Sequence, residues 1–217
     1  AIHNLMISKP ECWNVNAQDF PHNGKPEEKL AFALNYAVLA PSTYNAQPWH
    51  FVIQENAALL YADRRFGLPV IDPEDRELTI ACGCALFNLR LAIRAFGYNE
   101  ITELVPDPQD RDLLARVKLG DKTAVTDSTD KELFEKVTQR HGNRGAFAGK
   151  TVPEDILHVL IGEASKEGAW LHVPGTDERK ALVRMIAEGD HIQSSSKAFR
   201  REMASWIHPR RVLSRDG

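Results

Sequence analysis

The element pattern of this chain agrees with an α+β fold class, on three observations. Residues Glu74 to Phe96 hold apolar side chains at helical spacing on more than one side, as a helix buried at the centre of a domain does. Short apolar runs at Trp49 to Gln54, Ile101 to Val105 and Ala115 to Leu119 have the length of strands. Two capping boxes, Thr129-Asp130-Lys131-Glu132 and Thr151-Val152-Pro153-Glu154, open further helices.

The elements follow in order. Residues 1–25 are polar, with several Asn, Pro and His, and read as an arm or wrapping segment. Pro26 to Ala40 reads as a helix. Pro26 suits a first turn, Glu27 and Glu28 favour its positive end, and Leu30, Leu34, Ala37 and Val38 share a face. Pro41 closes it. After a polar loop comes the strand from Trp49, with Leu59 to Ala62 as its hairpin partner. Glu74 to Phe96 is the long helix, with Gly97 placed to cap it. Helices are then expected from Thr129 to about Arg140, from Thr151 to about Lys166, from Asp177 to Ile192 and from Lys197 to Trp206, with a strand at Trp170 to Val173.

Composition excludes several classes. The 217 residues hold 27 Lys and Arg against 30 Asp and Glu, a net charge of −3, and no long basic run. That is not the electrostatic footprint of a dedicated nucleic-acid binder. No stretch reads as a membrane span, so no membrane partner is expected. Three cysteines (Cys12, Cys82 and Cys84) do not make a disulfide framework, and the last two read as small core residues of the long helix. A reduced, cytoplasmic setting is expected, although a cleaved export signal would leave no trace. Eight scattered histidines show no metal-ligand spacing, and no metal site is expected. No glycine-rich loop opens a helix and no GxSxG is present, so neither a Rossmann or P-loop nucleotide site nor a serine nucleophile is supported.

Two segments stand out. Ala40-Pro41-Ser42-Thr43-Tyr44-Asn45-Ala46-Gln47-Pro48-Trp49 carries hydroxyls, two carboxamides and two stiffening prolines. Such a loop presents fixed donors and acceptors to the polar edge of a flat heterocycle. It also reads as a plain helix-to-strand turn in which Ser42 and Asn45 bond their own backbone. Arg140-His141-Gly142-Asn143-Arg144-Gly145-Ala146-Phe147 places two arginines and a histidine within five residues. Arginine forks bind phosphate bidentately, but Arg and His are equally welcome at a solvated helix C-terminus.

Together these segments resemble the nitroreductase family of flavoproteins. Ala40-Pro41-Ser42-x-x-Asn45-x-Gln47-Pro48-Trp49 is similar to the family's APS-x-x-N-x-QPW signature, and Arg140-His141-x-Asn143-Arg144-x-x-Phe147 to its RRS-x-R-x-F element. Ala62-Asp63-Arg64-Arg65, Leu68-Pro69-Val70-x-Asp72-Pro73-x-x-Arg76-Glu77 and Gly83-x-Ala85-Leu86-x-Asn88-Leu89-Arg90-Leu91 extend the likeness to the Acg-like branch, whose chains hold two nitroreductase-like halves. The resemblance implies a mixed, mainly antiparallel sheet flanked by helices, with a buried central helix.

It also implies FMN, bound at an interface between two such units. Arg140, His141, Asn143 and Arg144 would hold the phosphate and ribityl chain. Pro41, Ser42, Asn45 and Gln47 would lie against the isoalloxazine. His141 and Gly142 stand where the family has Arg and Ser, which removes a hydroxyl contact to the phosphate. The implied activity is FMN-dependent oxidoreduction from NAD(P)H to a nitroaromatic, a quinone or another small acceptor, with no protein side chain named as catalytic. The alternative is an FMN-binding storage, sequestration or redox-sensing protein without steady turnover.

Pro26-Glu27-Glu28-x-Leu30 echoes Pro153-Glu154-Asp155-x-Leu157. The expected organisation is therefore a polar arm (1–25), a first nitroreductase-like unit (26–125) and the start of a second, incomplete unit (126–217). A missing C-terminal half, or a second copy of the chain, is expected to complete it.

Overall fold

The computed structural model describes residues 14–123, 128–142 and 145–207. Helix α1 (Pro26–Ala37) begins as the proline and acidic first turn dictate, with the Glu28 carboxylate accepting from the Lys25 amide at 2.7 Å. It buries Leu30, Ala33, Tyr36 and Ala37. Strands β1 (Trp49–Gln54) and β2 (Ala57–Ala62) form a hairpin, and α2 (Arg76–Ala95) follows. Two carboxylate oxygens of the buried Asp72 cap α2, accepting from the amides of Arg76 (2.8 Å) and Leu78 (2.9 Å). Gly97 leaves the helix at φ 83°, a conformation only glycine adopts freely.

Strands β3 (Tyr98–Leu104) and β4 (Leu113–Lys122) complete one antiparallel sheet in the order β1-β2-β4-β3. The register aligns Ile53, Ala58, Val117 and Thr102 in one row, and Phe51, Leu60 and Ala115 in the next. Strand alternation sends both rows to the same face. There Ala58 and Val117 join Leu30, Tyr36, Leu89 and Ile93 in the main core. A second cluster gathers Trp49, Leu60, Ala62, Leu78, Ala81, Cys82 and Ala85. The fold is thus α+β, with α2 as the core helix. α2 also holds an 18-residue window of mean hydropathy 1.4, so one described helix does have the length and composition of a membrane span, contrary to the sequence expectation. Half of that window is buried inside the protein.

The described part of the N-terminal arm, residues 14–25, is held by an aromatic contact. Phe20 is buried and stacks on Phe96, with ring centroids 4.0 Å apart. Helix α3 (Ser128–Val137) docks through Phe134, whose ring lies 4.5 Å from Tyr36 and 5.2 Å from Phe96. A charged network supports it. Arg94 makes a two-pronged contact to Asp130 (2.8 and 3.1 Å) and a third to Glu100, which Arg90 also contacts at 2.8 Å. Burial pushes the Glu100 carboxyl up, but the Thr102 hydroxyl and the two arginines outweigh it and hold it below the usual range. Burial also raises the Tyr36 phenol to about 12.

The chain divides into two units, residues 1–142 with 201–217, and residues 143–200. In the second, α4 (Glu154–Lys166) ends on Gly168 at φ 73°, and α5 (Thr176–Ser195) opens with the Glu178 carboxylate on the Gly175 amide at 2.9 Å. The Thr151 capping box does not form; Pro153 takes the cap position. Residues Trp170 to Val173 form no strand, contrary to expectation, because a strand needs a hydrogen-bonding neighbour and none of the described strands pairs with them. No residue of α4 or α5 is buried. Helix α6 (Lys197–Trp206) ends within the first unit, where the Glu202 carboxylate accepts from the amides of Val70 (3.1 Å) and Ile71 (2.8 Å).

Candidate functional site

Helix α1 ends at Ala37, three residues short of the expected Ala40, and the chain reaches Pro41 through a turn before the loop to β1 leaves regular geometry. Tyr44, Asn45 and Gln47 adopt φ of 51°, 57° and 52°, the left-handed region. Asn tolerates this; Tyr and Gln rarely enter it. Each such residue costs on the order of 1–2 kcal/mol relative to its preferred conformation. Strain of this kind persists where surrounding contacts over-determine the backbone, and it concentrates at functional sites.

Those contacts are visible. The Ser42 hydroxyl accepts from the Gln47 amide at 2.9 Å, and the Gln47 carboxamide donates to Asn45 Oδ1 at 3.3 Å. The Thr43 hydroxyl donates to Glu77 Oε2 on α2 at 2.6 Å. Downstream, the Pro48 carbonyl accepts from the Asp63 amide (2.9 Å) and the Cys82 thiol (3.3 Å). Burial pushes that thiol up to about 12, so Cys82 is a core donor and not a nucleophile. Ala46, Pro48 and Trp49 are buried, while Pro41, Asn45 and Gln47 are exposed and Ser42 is half-buried. The loop therefore buries Ala46, Pro48 and Trp49 and turns its two carboxamides outward.

Arg140 comes to the same place from 101 residues away. It follows α3, and its Nη2 donates to the carbonyl of Leu39 at 3.1 Å, two residues before Pro41. Its charge also reaches Cys84 on α2. Burial raises the Cys84 thiol and Arg140 draws it part of the way back. His141 is exposed beside it. Asn143 and Arg144 lie outside the described residues.

Of the eight residues singled out from sequence, the structure thus brings Arg140 against the base of the loop that carries Pro41, Ser42, Asn45 and Gln47. Ser42 does bond its own loop's backbone, as a simple turn would have it do, whereas Asn45 bonds the Gln47 side chain instead. Thr43 and Glu77 were not singled out. Nothing in their local sequence announces a contact 34 positions apart.

No family model matches the chain. Curated relatives do. A Mycobacterium tuberculosis protein named "putative NAD(P)H nitroreductase" is 31% identical over 180 residues, covering 82% of this chain and 51% of that protein. The M. tuberculosis "putative NAD(P)H nitroreductase acg" is 32% identical over 174 residues, covering 80% of this chain and 52% of that protein. A "probable NAD(P)H nitroreductase" of a Serratia strain is 32% identical over 74 residues, covering 33% of this chain and 21% of that protein. The chain spans about half the length of the M. tuberculosis relatives it matches. Among solved structures, a nitroreductase-like protein from Streptococcus mutans aligns with TM-score 0.36 at 17% identity, covering 45% of this chain and 78% of that one.

Proposed function

We propose that this homologue of the mycobacterial proteins named as NAD(P)H nitroreductases is part of an FMN-dependent oxidoreductase. It would pass electrons from NAD(P)H to a nitroaromatic, a quinone or another small acceptor. The observation that carries the reading is the meeting of Arg140 with the strained loop, through its 3.1 Å bond to Leu39. A bidentate anion-binding group beside outward-facing carboxamides matches a cofactor with a phosphate at one end and a polar-edged ring at the other.

The residues fit FMN in these terms. Arg140 would hold the phosphate, with His141, Asn143 and Arg144 joining it on the resemblance. Pro41, Ser42, Asn45 and Gln47 would border the isoalloxazine. The flavin supplies the hydride and electron chemistry when bound, and the protein supplies binding, orientation and electrostatics. Asn45 and Gln47 are neutral, so they polarise the ring edge without placing a charge where a nicotinamide must stack.

Denaturing the purified full-length protein should release FMN, identified by mass, and anaerobic NADPH or NADH should bleach the flavin. A colourless protein that also refuses added FMN overturns the cofactor. Reduction by dithionite alone overturns turnover with these donors and leaves sequestration as the function.

Further polypeptide is also proposed as a partner. Ile156, Val159 and Leu160 of α4 and Leu182, Met185 and Ile186 of α5 each form an exposed apolar stripe at helical spacing, with Met185 66% exposed. Such stripes mark surfaces that are covered in the working protein. The rest of a two-half protein, or a second copy of the chain, would cover them. Residues 1–217 alone should run above monomer mass in solution or melt without cooperativity. A monomer with a sharp cooperative melt overturns this.

A further inference from the structure

We propose that the hydrogen bond from Thr43 to Glu77 is a latch that holds the loop of residues 42–47 in its strained conformation, making Thr43 and Glu77 positioning residues for the site. The inference rests on the FMN reading for its functional consequence, and on geometry alone for the latch itself.

Three residues in six sit at positive φ, and two of them, Tyr44 and Gln47, have no intrinsic preference for it. Something outside the loop must hold it there. The bonds from the Gln47 amide to Ser42 and from the Gln47 carboxamide to Asn45 are internal. They last only while the loop keeps its shape, and they give it no support from another element. The ends are tied, at Arg140 to Leu39 and at Pro48 to Asp63 and Cys82. Between those ends, the Thr43 hydroxyl on Glu77 Oε2 is the side-chain bond that joins residues 42–47 to another element, among the described residues.

Its partner stands on rigid ground. Glu77 is the second residue of α2, and the start of α2 is clamped by the buried Asp72 through the amides of Arg76 and Leu78. A chain of support therefore runs from Asp72 through the first turn of α2 to Glu77, Thr43 and the loop. The acceptor is a carboxylate and the distance is 2.6 Å, the length of a charge-assisted bond. Glu77 is exposed and does not fill the core, so its removal acts on the loop and leaves the packing of α2 intact.

The test uses the full-length protein and four variants. Thr43→Val keeps the shape and removes the hydroxyl, and Glu77→Ala removes the acceptor. Thr43→Ser keeps a hydroxyl, and Glu77→Gln keeps an acceptor oxygen. Two readouts are taken: hydrogen exchange of the Gln47 amide without flavin, and affinity for added FMN. Thr43→Val and Glu77→Ala should exchange about tenfold faster and bind FMN about tenfold more weakly, the effect of one charge-assisted bond. Thr43→Ser should recover most of both, and Glu77→Gln only part, since a neutral acceptor bonds more weakly than a carboxylate. Should Thr43→Val fail to fold, Glu77→Ala at its exposed position gives the same reading. Exchange and affinity unchanged in the first two variants overturn the latch. Faster exchange with unchanged FMN affinity overturns the positioning role. Wild-type protein that binds no FMN defeats the flavin reading instead, and unchanged exchange in Thr43→Val would then overturn the latch on its own.

Discussion

Arg140→Ala should weaken FMN binding by about 10- to 150-fold. The range is the fold-change for losing one charge-assisted hydrogen bond, worth ~1.5–3 kcal/mol. Arg140 is exposed and its described bond is a single one to the Leu39 carbonyl, so the variant should keep its fold and melting temperature. That bond aims the guanidinium along the base of the loop, and a lysine has no planar fork with which to bond Leu39 and a phosphate together. Arg140→Lys should therefore restore only part of the affinity. Titration of the apoprotein with FMN, followed by quenching of flavin fluorescence, measures both. Binding equal to wild type in the alanine variant would remove Arg140 from the phosphate site.

Glu100→Gln should destabilise the first unit by about 2–3 kcal/mol and flatten its acid limb. Glu100 is 10% exposed and accepts from Arg90, Arg94 and Thr102. Removing the charge weakens the contacts that Arg90 and Arg94, each 29% exposed, make to this position, while Arg94 keeps Asp130. Breaking a fully buried pair costs ~3–5 kcal/mol, and the partial exposure of the arginines brings the figure down. The direction of the pH effect follows from the lowered Glu100 carboxyl. Its folded value lies below the ordinary 4.5 of an unfolded glutamate. The stabilisation is therefore fully present above that unfolded value, and is lost as pH falls below about 4.5 and through the folded one. Urea melts at pH 7 and pH 4 should draw wild type and variant together as the pH drops. A constant gap between them would mean the carboxylate is not the source.

The same variant reports on the site at a distance. Arg94 links Glu100 to Asp130, Asp130 lies on α3, and Arg140 follows α3. Loosening this network frees the helix that delivers the phosphate-binding arginine, so FMN affinity should fall along with stability.

Local chemistry made most elements legible. The start of α1 and the end of α2 follow from Pro26, the acidic first turn and Gly97, which act within a few residues, whereas α1 stops at Ala37 short of the expected Ala40 and α2 starts at Arg76 after the expected Glu74. α6 was read at its observed bounds, Lys197–Trp206, for the same reason. The burial of Cys82 was also readable, since its place on a helix apolar on several sides leaves it nowhere but the core.

Tertiary structure decided the rest. Trp170 to Val173 has the residues of a strand, but a strand exists only with a hydrogen-bonding neighbour, which its own sequence cannot supply. The left-handed turns at Tyr44 and Gln47 run against the preferences of those residues. They hold because Thr43, Ser42 and Pro48 bond to groups placed by α2, the loop's own far end and β2. The approach of Arg140 to Leu39 depends on α3 packing through Phe134 and Asp130, contacts between residues that are distant in sequence. The sequence by itself thus determined the helices, the hairpin and the two chemically unusual segments, because propensity, capping and periodicity are short-range. That Arg140 meets the loop, and that the loop is strained, was decided by long-range packing, because no residue's local preference encodes which distant side chain will stand beside it.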